Sequence, residues 1–394
     1  MKTVLQEPSR PAVTISACCA MTFVLGTIHA FSVFVPDWEA LPGASRANVS
    51  FIYSLALASL TIAVLFGHLV FSRLRPATLF MVSGLLAAIG LGCSAISHSL
   101  FQHYIFYGVI FGAANGLGYG YALQLSGQAA PNRKGFAMGI VTAFYAVGAT
   151  LAPVLFIALI GKGGNALALG IMASIIVAVT LISASMLHFS NAAYIGEPTT
   201  GKLQPLSAPM KQARLFLWLS YGSAVAAGLM LIGHAYGIAS WLSRETSIAS
   251  SAPVFVALGN MLGGFSAGSL ADRFSSNRLL RWLPLFSCLG LFILVSPLNT
   301  ISWTMLAGLA IVGYCYGALI AVYPVAISDI FSPSAAPRIY GQIFTAWGVA
   351  GLIGPWFSGW QFDRTGSYLS AIWVAIGLSA LSIVVLTRQQ NRVN

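Results

Sequence analysis

The chain has 394 residues, of which 58% are hydrophobic and only 7% charged, against roughly 25% charged in a soluble domain. Nineteen Lys and Arg against eight Asp and Glu give a formal net charge of +11. So little charge cannot cover a water-soluble surface, which excludes a soluble enzyme, a disordered chain and a secreted disulfide scaffold. The composition is that of an all-α integral membrane protein with almost no mass outside the bilayer.

A spanning helix needs about 20 mostly apolar residues. Lys2 and Arg10 precede the first apolar run, 12–36. That run is too long for a signal-peptide core of roughly 7–15 residues, and it reads as span 1. Spans 2 to 6 follow at 47–72, 77–97, 100–128, 134–160 and 165–190. The one long connection, 191–211, carries Pro198, Gly201, Pro205 and Pro209. Spans 7 to 12 lie at 212–241, 248–271, 280–298, 301–328, 338–362 and 367–388. The twelve transmembrane helices thus fall into an N-terminal six-helix bundle (1–190), a cytoplasmic linker (191–211) and a C-terminal six-helix bundle (212–394).

Charge tests the count, because Lys and Arg gather on the cytoplasmic side. With both termini inside, only Arg46, Lys162, Arg244 and Arg364 lie outside, and the other fifteen basic residues lie inside. The acids divide evenly: Glu7, Glu197, Asp272 and Asp329 inside, Asp37, Glu39, Glu245 and Asp363 outside. The whole net charge therefore falls on one face. It implies anionic membrane lipid as its partner and no nucleic acid.

The halves repeat each other. Gly139, Tyr145 and Pro153 of span 5 align with Gly341, Trp347 and Pro355 of span 11 at an offset of 202. Gly67-His-Leu69 matches Gly268-Ser-Leu270 at 201, and His29-Ala-Phe31 matches His234-Ala-Tyr236 at 205. A duplicated six-helix unit explains one near-constant offset.

Span 8 runs into Gly268-Ser-Leu-Ala-Asp272-Arg273, followed by Arg278. This resembles the gating-loop signature of the major facilitator superfamily. The matching first-half loop, Gly67 to Arg75, lacks the Asp. Pro131 to Gly135, Tyr323-Pro324 with Ser328-Asp329, Gly351 to Pro355 and Asp363 to Tyr368 resemble the oxalate/formate antiporter and monocarboxylate porter branch. The resemblance implies two pseudo-symmetric bundles around one central site. It implies a monomeric secondary transporter, multi-pass in the cell membrane; the short loops suit a bacterial inner membrane, and the sequence offers no cofactor or catalytic motif. The cargo would be a small organic acid, a monocarboxylate, moved by proton symport or in exchange for a counter-anion. Relatives place a cation in span 8 or span 11 opposite the substrate carboxylate. Here span 8 has Asn260 and no Arg, and span 11 has Trp347.

No Asp, Glu, Lys or Arg falls near the middle of a span, in keeping with the cost of burying one. Histidine is the remaining titratable group. His29 and His234 occupy matching places in spans 1 and 7, which the resemblance makes cavity-lining, and they are the candidates for proton coupling and substrate binding. Tyr119, Tyr145, Tyr316 and Trp347 are candidates for an aromatic box, and Asn260 and Gln342 for polar contacts. Tyr119 and Tyr121 point to different sides of span 4, and Tyr119 is the one expected to face the site. The remaining histidines, His68, His98, His103 and His188, fall near span ends. The five Cys show no metal-ligand spacing, and no Walker A or pore-filter motif occurs. Two other readings suit the weakly charged interior and the degenerate first loop: an exporter of a larger amphipathic compound, and a non-transporting sensor with a carrier fold.

Overall fold

The computed structural model describes residues 10–44, 46–196, 206–243 and 245–390. Lys2, Glu7, Glu197, Pro198, Gly201, Lys202, Pro205, Arg244 and Arg392 lie outside the described residues. Every regular element among those described is a helix. In chain order they are α1 (Pro11–Leu25), which tightens into a 3-10 stretch over Gly26–Val33, and α2 (Val35–Glu39). Next come α3 (Arg46–Phe71), α4 (Pro76–Ala95) and α5 (Leu100–His103). A π-helical stretch, Tyr104–Phe111, joins α5 to α6 (Gly112–Ala129). Then follow α7 (Lys134–Phe189), α8 (Ala208–Ile232), α9 (Ala235–Leu242) and α10 (Thr246–Phe274). The last are α11 (Ser276–Val295), α12 (Ser302–Ile330), α13 (Ala336–Thr365) and α14 (Leu369–Gln390).

Nine helices among the described residues are long and apolar enough to cross a membrane. One of them, Pro131–Phe189, holds two of the expected spans. It breaks at Gly163 and Gly164, and Gly164 has a φ of 69°, a left-handed conformation that glycine adopts without strain. Expected spans 4 and 11 are not among the nine. Span 4 is interrupted by the π stretch and carries Asn115, Gln124 and Gln128; span 11 carries Gln342, Thr345 and Gln361. Both give up apolarity to polar groups in their interiors.

The helices form two compact units. The first gathers the helices up to α7 together with Pro333–Gly341, and the second gathers α8 to α12, the rest of α13 and α14. Within the first unit α1 and α4 pack on α7, and α3 packs on α6. Within the second, α10 and α11 pack on α12, and α8 and α11 pack on α14.

Small residues set these contacts, as expected where lipid supplies no hydrophobic force between helices. Gly112 and Gly116 of α6 lie against the backbone of Ala56 and Leu60 in α3. At positions 201 later, Gly313 and Gly317 of α12 lie against the backbone of Val256 and Asn260 in α10. The same close approach is therefore built twice, at the offset of the sequence repeat. Buried side chains are apolar or carry neutral polar groups such as Ser, Thr and Asn. Large apolar side chains such as Ile62, Val154 and Trp303 are exposed, the pattern of a lipid-facing surface.

A methyl group at Gly116 would meet the Leu60 carbonyl, whereas one at Gly377 in α14 meets nothing. Gly116→Ala is expected to cost about 1–3 kcal/mol through overpacking, and Gly377→Ala to be neutral or slightly stabilising. Thermal unfolding in detergent checks this; equal melting temperatures for the two variants would contradict it.

Candidate functional site

The first cluster forms where span 1 changes pitch. At Gly26 the α-helix tightens to 3-10, which redirects the carbonyls near the junction. Two side chains meet them. Asn115 Nδ2 donates to the Leu25 carbonyl (2.5 Å), and the Tyr107 hydroxyl donates to the Ile28 carbonyl (3.2 Å). Asn115 is wholly buried, and its Oδ1 accepts from the Tyr145 hydroxyl (3.0 Å). The amide is thus used at both ends, and it fixes Tyr145.

His29 sits in the 3-10 stretch. Its Nδ1 lies 2.7 Å from the Tyr53 hydroxyl. Its ring meets Tyr145 edge-on at 5.4 Å, and Tyr145 packs against Tyr119 at 4.8 Å. Phe31 stacks on Tyr53 at 5.1 Å. His29 is part-exposed, and among the described residues its Nε2 has no hydrogen-bond partner. One nitrogen is held and the other is open. Tyr121 turns away, into Phe71, Phe80 and Tyr194.

The second unit has a joint at the matching place. Span 7 stops at Ile232 and restarts at Ala235, with His234 as the residue between Gly233 and the new helix. Here both ring nitrogens are engaged. Nε2 lies 2.8 Å from the Pro355 carbonyl and must donate to it, so Nδ1, 3.3 Å from the Tyr368 hydroxyl, accepts. His234 ties the joint to α13 and to the start of α14.

Elsewhere in this unit the Trp347 indole N–H donates to the Tyr316 hydroxyl (2.9 Å), and Phe344 stacks on Trp347 at 5.0 Å. The Tyr316 ring rests on Gly228. Asn260 lies beside Gly317, next in sequence to Tyr316. Gln342 is drawn to a different partner: its Oε1 accepts from Arg214 Nη1 at 2.7 Å.

The gating-loop residues lie at one helix junction. Gly268 is within α10, Asp272 and Arg273 occupy its last turn, and Arg278 lies in the first turn of α11. Ser275 joins the two helices with a φ of 69°, and the next residue, Ser276, donates to Asp329 Oδ2 (2.6 Å).

Known proteins share this architecture. The pattern that defines the Major Facilitator Superfamily matches residues 215–393. The Escherichia coli (strain K12) MFS-type transporter YhjX is 24% identical over 335 residues, 84% of this chain and 83% of its own. Monocarboxylate transporter 12 of Rattus norvegicus is 24% identical over 391 residues, 91% of this chain and 80% of its own. The solved E. coli fucose:proton symporter FucP superposes with a TM-score of 0.75 at 13% identity, covering 96% of this chain and 99% of that one. The proton:xylose symporter XylE gives 0.74 at 13% identity, covering 96% and 95%. The second half of the chain carries the Major Facilitator Superfamily pattern, and the whole chain has the fold of transporters of that superfamily. It is a multi-pass membrane protein.

The binding candidates drawn from the sequence sort into four groups. His29, Tyr119 and Tyr145 make one contiguous cluster, and Tyr316 and Trp347 make a hydrogen-bonded pair with Asn260 nearby. Gln342 pairs with Arg214, and His234 is locked into a helix joint. Tyr53 and Asn115 complete the first cluster although sequence reasoning did not select them. Asn115 carried a readable signal, an amide inside an apolar span. Tyr53 carried none, because its role depends on which way span 1 turns beyond Gly26.

Asn115→Ala removes two buried hydrogen bonds and strands the Leu25 carbonyl, at an expected cost of about 1–3 kcal/mol. Tyr145→Phe removes one of the two and is expected to cost less. All five cysteines are free, and Cys18, Cys19, Cys288 and Cys315 are buried, so a thiol-reactive dye reads unfolding directly. The same melting temperature for Asn115→Ala and the parent protein would contradict the assignment.

Proposed function

We propose that this transporter carries a small monocarboxylate across the cytoplasmic membrane by alternating access, coupled to a proton, with exchange for a second anion as the other coupling the same chemistry allows. The observation that carries the reading is His29: part-exposed, its Nδ1 oriented by Tyr53, its Nε2 open, and its ring edge-on to Tyr145. Imidazole is the side chain whose ordinary range straddles neutral pH. A protonated His29 turns Nε2–H outward as a charged donor to a carboxylate; a neutral one releases it. Cargo and proton then share one group. His234 holds the joint in span 7 through its contacts with Pro355 and Tyr368. Tyr119 and Tyr145 border His29 within the first unit; within the second, Trp347 donates to Tyr316, and Asn260 lies beside Gly317.

Two comparisons support the reading. Relatives named monocarboxylate transporter 12 and 13 align along 91% and 92% of the chain. The solved proteins with the same fold include sugar carriers described as proton symporters. The charge asymmetry of the sequence supports cytoplasmic termini, and one chain with both halves supports a monomer.

The test is uptake by purified protein in liposomes. Labelled lactate, pyruvate, formate and acetate are offered with and without an inward proton gradient. We expect saturable uptake of at least one acid, stimulated by the gradient, and loss of that stimulation in His29→Phe with folding intact. No uptake of any of the four, with or without unlabelled acid inside, would overturn the cargo. Unchanged uptake and pH dependence in the His29→Phe/His234→Phe double variant would overturn the coupling.

A further inference from the structure

Among the described residues Arg214 is a cation without a counter-charge. It lies two turns into α8, part-buried, and its guanidinium donates from Nη1 to Gln342 Oε1 at 2.7 Å. Among the described residues that neutral amide is its one partner, and no carboxylate pairs with it. A charged side chain within an apolar helix is normally matched by an opposite charge. This one is met by a dipole.

The pairing also fixes the amide. A guanidinium only donates, so Gln342 must turn its oxygen to Arg214 and its NH2 away. The rest of the guanidinium fork and the amide NH2 are then N–H donors in one place. The next turn holds the pair in position. Trp218, four residues after Arg214, donates from Nε1 to Thr345 Oγ1 (2.8 Å), and Thr345 donates to the Gln342 carbonyl (2.7 Å). Two rungs thus join α8 to α13: Arg214 to Gln342, and Trp218 to Thr345. The second rung consumes its own donors. The first leaves donors over, together with a positive charge that no carboxylate among the described residues pairs.

We propose that Arg214 and Gln342 form an anion-binding station for the transported carboxylate, with the guanidinium supplying charge and the amide NH2 a second hydrogen bond. This rests on the monocarboxylate reading above and deepens it. Spans 8 and 11 carry no cation near their middles, and Arg214, near the start of span 7, is the one bonded to the span 11 amide. Planar donors on a guanidinium suit the two oxygens of a carboxylate.

The shared chemistry is an anion held by N–H donors, and a lipid phosphate could present it too. The experiment separates the sources. Purified protein in uncharged detergent is titrated with labelled lactate, with neutral lactamide as control, and its melting temperature is followed with and without phosphatidylglycerol. We expect the parent protein to bind lactate and not lactamide. Arg214→Gln should weaken lactate binding about tenfold or more, and Arg214→Lys, which keeps the charge, should recover part of it. Gln342→Glu provides the second line: an internal carboxylate on Arg214 should raise the melting temperature and weaken lactate binding about tenfold or more. Lactate binding undiminished in both Arg214→Gln and Gln342→Glu would overturn the station and leave the cargo assignment standing. The same follows if Arg214→Gln loses only the stabilisation by phosphatidylglycerol, for then the cation holds a headgroup. No lactate, pyruvate, formate or acetate binding by the parent protein would overturn the monocarboxylate reading, and the station with it.

Discussion

In hydrocarbon a helix can change pitch only where another group meets the carbonyls and N–H groups it redirects. This chain changes pitch at corresponding places in both halves: at Gly26 in span 1 and at Gly233–His234 in span 7. In the first half Asn115 and Tyr107 reach across to the carbonyls of Leu25 and Ile28. In the second, His234 itself bonds the backbone of α13. The polar groups that span the interior are therefore first of all the supports of two distorted helices.

The candidate site follows from that support. Asn115 holds Tyr145, Tyr145 borders His29, and the 3-10 stretch aims His29 at Tyr53. A change at Asn115 would move the imidazole without touching it. The two histidines occupy matching positions in the repeat and differ in their hydrogen bonds. His234 spends both nitrogens on holding its joint together, whereas His29 spends one because Asn115 and Tyr107 meet the backbone for it. Duplication supplied two equivalent histidines, and the division of structural labour left one of them open.

The helical architecture was legible because twenty-residue apolar runs have one solution in a bilayer, and the short connections allowed them to be counted. The repeat was legible in Gly, aromatic and Pro positions, and the structure adds Gly112 and Gly116 answering Gly313 and Gly317. The ring contacts were less so. A 3-10 stretch turns about 20° more per residue than an α-helix. Over its eight residues that rotates the last side chain by roughly 160° from where an α-helical wheel puts it. The partners of His29 could not be read from spacing for that reason. Arg214 was legible as a charge and was counted with the cytoplasmic flank. Its turn toward Gln342 depends on the packing of α8 against α13, which lies 128 residues away in sequence. Gln342 itself was recognisable as a polar intruder in span 11, though its cationic partner was not.

The central claim is that cargo and proton meet at His29. It is tested most directly by adding lactate to purified, weakly buffered protein and following pH with an indicator dye. The account predicts that protons leave solution as lactate binds, and that His29→Phe abolishes this proton uptake. Lactate binding without proton uptake, or with the same uptake in His29→Phe, would contradict it.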